Sequence, residues 1–193
     1  LWITRKIQFA FPEGEDSLTM VNVAAQSSLL RWPSHIQRPE NLGMYMKGMT
    51  ILLLVLFQKI FRDKKSMVPL AALWATANAI SAILIFLIGA SYFNPLIGLI
   101  LGLLFITSFW PWQTALTMGH INIATTVFLA GVYSTTYITG AGTASPLWLV
   151  LAGALFACLF FSSSSAIKYF PLAFASLIFA KYKITFETGG IPQ

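Results

Sequence analysis

Ser66-Met67-Val68-Pro69-Leu70-Ala71-Ala72-Leu73-Trp74-Ala75-Thr76-Ala77-Asn78-Ala79-Ile80-Ser81-Ala82-Ile83-Leu84-Ile85-Phe86-Leu87-Ile88-Gly89-Ala90 opens the stretch whose reading decides the fold class. From Ser66 to Ile167, a run of 102 residues, the chain holds no Asp, Glu, Lys or Arg. Of its 18 charged residues, fourteen lie between Arg5 and Lys65, and the others are Lys168, Lys181, Lys183 and Glu187. A domain in water carries roughly 25% charged residues, against 9% here. Apolar residues make up 57% of the 193, and the mean hydropathy is +0.75. Such a run cannot clothe a surface in groups compatible with water. It reads as a chain solvated by lipid.

Outward from that run, the chain divides into hydrophobic spans, each of which needs roughly 20 apolar residues to cross a bilayer. The spans are expected at about Leu42–Phe61, Pro69–Ala90, Leu96–Trp110, Ile121–Ile138 and Pro146–Phe161, with a short apolar run after Pro171. Pro111 is expected to stop the third. The third and the last are short, and one of them could be a partial span. The expected fold is an all-α, polytopic membrane bundle of about five to six segments over residues 44–183. Residues 1–43 form a polar loop region before it, and 184–193 a closing loop. The chain opens at Leu1 in mid-stride, which reads as a fragment with a further span upstream.

Within residues 1–43, Leu18, Val21, Ala25 and Leu29 suit one face of a short helix between Asp16 and Leu30. Such a helix could lie in the membrane interface rather than cross it. The basic segment Lys59–Lys65 is expected on the cytoplasmic side by the positive-inside rule, which puts residues 1–43 on the outer side. The pI near 9.6 then reflects membrane orientation rather than nucleic-acid binding. Cys158, alone and embedded in Ala157-Cys158-Leu159-Phe160, excludes a disulfide scaffold and reads as a small core filler. One Cys and two His make a zinc site improbable.

Polar groups next to or within lipid call for an account, and four clusters do. In Glu13-Gly14-Glu15-Asp16-Ser17, a carboxylate held ionised near a hydroxyl is suited to general-base work; alternatively Asp16 simply caps the helix that follows. In Arg31–Arg38, with His35 between the two arginines, guanidinium groups suit forked binding of phosphate oxygens, or Arg31 and Trp32 anchor the chain at headgroups. In Met118-Gly119-His120-Ile121-Asn122, His120 offers a donor to an anion at the mouth of the fourth span, or the segment caps that helix. Lys168, just before Tyr169-Phe170-Pro171, either snorkels to the interface or pairs with a phosphate in a bundle cavity.

The order of these clusters resembles the lipid-phosphate-sugar-dependent glycosyltransferases of the GT-C fold. It looks most like glycosyltransferase family 87, the polyprenol-phosphate-mannose-dependent mannosyltransferase type. Leu116-Thr117-Met118-Gly119-His120-Ile121-Asn122 is similar to that family's Gly-Gln-x-Asn segment, with His120 where Gln is usual. Ala152-Gly153-Ala154-Leu155-Phe156 through Ile167-Lys168-Tyr169-Phe170-Pro171-Leu172 is similar to its Gly-helix-Lys-x-x-Pro segment. Gln37-Arg38-Pro39-Glu40 matches the aromatic-Pro-Pro segment of the fold only loosely.

The resemblance implies a multi-pass protein of a bacterial or archaeal plasma membrane that moves a mannose-like hexose from a polyprenyl-phosphate donor to the hydroxyl of a glycan or glycolipid acceptor at the outer face. It implies Asp16 as catalytic base with Glu15 in reserve. Arg38, His35 and Lys168 would then hold the donor phosphate, and His120 and Asn122 would orient donor or acceptor. No cofactor is implied beyond the lipid-linked donor, and a divalent metal is left open. Two other classes compete with this reading: a transporter module, for which Asn78, Ser81 and Ser162–Ser165 would supply polar groups in mid-span, and a structural membrane subunit.

Overall fold

The computed structural model describes residues 15–27, 48–64, 66–108, 119–140 and 146–160, with 171, 172 and 175. Among these residues every regular element is an α-helix: α1 (Glu15–Gln26), α2 (Gly48–Phe61), α3 (Val68–Tyr92), α4 (Pro95–Thr107), α5 (Gly119–Gly140) and α6 (Pro146–Phe160). The all-helical expectation therefore holds. Among the described residues only α3, with 25 residues, is both long and apolar enough to cross a membrane. At 1.5 Å per residue it spans about 37 Å, against roughly 30 Å of bilayer hydrocarbon. α5 has 22 residues, but Asn122, Thr125, Thr126, Ser134, Thr135 and Thr136 dilute its apolar character.

Local chemistry sets the ends of these helices. α3 stops at Phe93, whose N–H donates to the Gly89 carbonyl at 2.9 Å. Asn94 then caps α4, its side chain accepting from the Ile97 N–H at 2.9 Å, and Pro95 takes the first helical position, where a missing N–H costs nothing. α4 ends at Ser108 rather than at Pro111. The backbone turns extended there, while the Ser108 N–H and hydroxyl both return to the last turn, the hydroxyl to the Phe105 carbonyl at 2.8 Å. Residues 109–111 lie outside the described residues.

α3 and α4 pack as an antiparallel hairpin at close range. A Cβ on Gly98 would run into the Phe86 carbonyl oxygen and lie 2.7 Å from the Ala90 nitrogen; one on Gly89 would lie 2.8 Å from the Gly98 Cα. Gly102 faces the Ala82 carbonyl, 3.1 Å from a would-be Cβ. Gly98 and Gly102 are four residues apart, the spacing that lets two apolar helices bring their backbones together. They are the buried residues of α4. Its large side chains point outward, with Leu96 66%, Leu103 54% and Leu104 60% exposed. This register brings the end of α4 only to about the middle of α3.

The main core lies on the other side of α3. Met20, Val21, Val23 and Ala24 of α1, Ile51, Leu54 and Val55 of α2, and Leu70, Leu73, Trp74 and Ala77 of α3 join Ile123, Ala124 and Val127 of α5 in one cluster. Ala152, Phe156 and Leu159 of α6 complete it, with Cys158 partly buried against it. α6 docks where Gly131 of α5 leaves room for the Phe156 ring.

α1 is shorter than the expected Asp16–Leu30, and Ser27 already lies beyond it. Its described buried residues are Met20, Val21, Val23 and Ala24, so Val21 of the expected stripe is on the buried face. Thr19, Asn22 and Gln26 are exposed on the other side of the helix.

Candidate functional site

The two carboxylates singled out from sequence, Glu15 and Asp16, occupy the first turn of α1. Because the helix begins at Glu15, Asp16 is inside it and is not its cap. A carboxylate in a first turn is favoured by the unsatisfied N–H groups of the helix start. The side chains of Glu15 and Asp16 lie outside the described part of the structure, as does that of His120 in the first turn of α5. His35, Arg38 and Lys168 lie outside the described residues altogether. Asn122 is described, and it is buried at 4% exposure within the helical core, not open at a helix mouth.

Gln58 fixes where α1 sits. This residue is 2% exposed in the last turn of α2. Its side-chain amide donates to the Val21 carbonyl of α1 at 3.2 Å and lies 3.4 Å from the Lys64 carbonyl in the following loop. A buried amide left without partners would cost about 1–3 kcal/mol, so the contact ties α1, α2 and the loop together. It also sets the middle of α1 at the basic-loop end of α2. Glu15 is only about 9 Å from Val21 along the helix, far short of the roughly 30 Å of a bilayer core.

The loop itself has a defined build. α2 closes with the Asp63 N–H on the Gln58 carbonyl at 3.1 Å and the Arg62 N–H on the Lys59 carbonyl at 3.2 Å, the paired bonds of a Schellman ending. Arg62 stands at the left-handed position, with φ 51°, where glycine is usual. The Asp63 carboxylate then accepts from the Ser66 N–H at 3.0 Å and from the Ser66 hydroxyl. The Ser66 oxygen in turn accepts from the Val68 N–H at 3.2 Å, starting α3.

A second polar feature lies near the middle of α3. The Ser81 and Thr126 hydroxyls pair at 2.8 Å between α3 and α5. The Thr126 hydroxyl is also 3.0 Å from the Ala77 carbonyl and 2.8 Å from the Asn122 carbonyl. One proton cannot serve every acceptor at once, so the group acts as a shared clamp rather than as a reactive hydroxyl. About two helical turns before Ser81, the indole N–H of Trp74 is fully buried and has no hydrogen-bond partner among the described residues. No group of three or more His, Cys, Asp or Glu residues suited to a metal ion occurs among the described residues.

Sequence reading missed Gln58 and the Ser81–Thr126 clamp as structural joints. The available signal was an isolated polar side chain within an apolar run, such as Gln58 following Leu56-Phe57. Compared with protein-family models, with curated proteins and with solved structures, the chain matches none.

Proposed function

We propose that the protein is a multi-pass, GT-C-like membrane protein that transfers a mannose-like hexose from a polyprenyl-phosphate donor to an acceptor hydroxyl. The membrane part of this reading is supported by the inside-out make-up of α4, whose glycines are buried and whose leucines are exposed. In water that arrangement would expose a broad apolar surface; in lipid it is the expected one. The transferase part rests on the resemblance. The observation behind it is the Gln58–Val21 contact, which ties α1, the helix that carries Asp16, to the last turn of α2. Transfer from a lipid phosphate needs a carboxylate to accept the acceptor's proton and cations to offset charge developing on the leaving phosphate. Asp16, with Glu15 in reserve, supplies the first. Arg38, His35 and Lys168 remain the candidates for the second, and His120 and Asn122 for orientation.

The test uses the full chain in nanodiscs with a radiolabelled polyprenyl-phosphate mannose and a glycolipid acceptor. Asp16→Asn is expected to reduce transfer by about 10²–10⁴-fold, the usual contribution of a general base. Equal transfer by the parent and by both Asp16→Asn and Glu15→Gln would remove the base assignment. No transfer by the parent from any such donor would remove the transferase reading.

A further inference from the structure

The loop joining α2 to α3 combines three properties. Its cations are exposed: Lys59, Arg62 and Lys64 all stand at the surface, and the segment 59–65 holds four cations against one carboxylate. In the last two turns of α2, next to them in sequence, Leu56, Ile60 and Phe61 are exposed at 42%, 64% and 43%. Leu56 and Ile60 lie on the outer side of α2, opposite the face through Ile51, Leu54, Val55 and Gln58 that packs into the core. Phe61 is held against Phe57 with ring centroids 6.4 Å apart.

Arg62 also occupies a conformation that costs a side chain about 1–2 kcal/mol and that glycine adopts freely. The backbone geometry therefore favours glycine at a position where the chain carries a cation. The Schellman bonds and the Asp63–Ser66–Val68 chain hold this loop in one shape. Its charges are thus presented on a fixed frame rather than on a loose tail.

We propose that Lys59, Arg62 and Lys64, with Leu56, Ile60 and Phe61, form a binding surface for the phosphate headgroup of an anionic bilayer phospholipid. The cations meet the headgroup, and the apolar side chains of the last two turns of α2, beside them, meet the start of its acyl chains. That pairing matches a lipid and no water-borne anion, which would have no use for the apolar side chains. Basic residues beside a membrane contribute about 1 kcal/mol each toward anionic lipid, or roughly fivefold in affinity. The proposal rests on the membrane placement given above, but not on sugar transfer.

The full chain in detergent is titrated with phosphatidylglycerol or phosphatidylcholine, and the retained lipid is counted by native mass spectrometry at low salt. The parent is expected to retain phosphatidylglycerol in preference. Arg62→Gly is expected to weaken that preference about fivefold while melting at or above the parent's temperature, because glycine relieves the left-handed strain without unmaking the loop. Lys59→Gln, Arg62→Gly and Lys64→Gln together are expected to weaken it about a hundredfold. Equal retention of the two lipids by the parent would overturn the proposal, as would full preference in the triple variant. Displacement of the lipid by an equal concentration of inorganic phosphate would overturn it too. Release of the chain from membranes by alkaline carbonate would instead defeat the membrane placement, and loss of sugar transfer alone would touch neither.

Discussion

The two sides of α3 are held by opposite means. Toward α4 the contact is made by Gly89, Gly98 and Gly102, with backbone against backbone. Toward α1, α2 and α5 the contact is an apolar core with polar joints: Ser81 of α3 pairs with Thr126 of α5, and Gln58 ties α2 to α1 beside it. Close glycine packing gains dispersion and shape fit, so it tolerates no added atom. Polar joints tolerate some repacking but fail when a partner is lost, because the remaining group stays buried and unmet. One helix thus shows two ways of fastening apolar elements without relying on water to push them together.

That contrast can be broken most sharply at Gly98. Gly98→Ala puts a Cβ against the Phe86 carbonyl and the Ala90 nitrogen, backbone atoms that cannot swing away. A loss of about 3 kcal/mol is expected, the upper end for overpacking, read as a fall in midpoint on denaturant titration in mixed micelles. Gly153→Ala is the matched control: nothing lies within 4 Å of its would-be Cβ, and a midpoint at or slightly above the parent's is expected. A large loss at Gly153 and none at Gly98 would reverse the assignment of the tight seam.

Next in size is Gln58→Leu. It keeps the volume roughly constant and removes the bonds to Val21 and Lys64, at an expected cost of about 1–3 kcal/mol. The loss should be local. Hydrogen exchange at Met20–Ala24 should accelerate, while α4 exchanges as before. Unchanged protection of α1 would show that its apolar face alone holds it. A related topological measurement uses Ser66→Cys with Cys158 replaced by Ser. Because Gln58 ties α1 to the end of α2 and the loop after it, a membrane-impermeant maleimide reports on both. Labelling from outside is expected if transfer occurs at the outer face, and protection would remove outer-face chemistry by Asp16.

The smallest effect is expected at the clamp in the middle of α3. Ser81→Ala and Thr126→Val should each cost about 0.6 kcal/mol, the mean for such bonds between membrane helices. Their double-mutant cycle should show a coupling of the same order. Additive losses would mean that Thr126 is satisfied by the Asn122 carbonyl of its own helix and that Ser81 contributes nothing across the interface.

Much of this architecture was legible in the order of residues. The span expected at Pro69–Ala90 is the helix Val68–Tyr92, and Asn94-Pro95 marks the start of α4 as its capping chemistry requires. These features are local, and local signals survive in sequence. The end of α4 was misjudged because Pro111 is a strong stop signal, whereas Ser108 halts the helix earlier by folding its own N–H and hydroxyl back onto the last turn. The place of α1 was not legible at all. It depends on Gln58 meeting a carbonyl 37 residues earlier in the chain, and no periodicity records a contact of that kind.

The hairpin of α3 and α4 has a further consequence for how the chain reaches its final form. Its two helices are joined by Phe93 and Asn94 alone, and every contact between its glycines is made within residues 68–107. Contacts close in sequence form quickly, since little chain entropy is lost in closing a short loop. The Ser81–Thr126 bond spans 45 residues and waits for α5. During synthesis, at about 5–20 residues per second, the hairpin can therefore close seconds before its polar partner helix exists. The glycine seam would then form before the Ser81–Thr126 joint, which would assemble onto a platform already built.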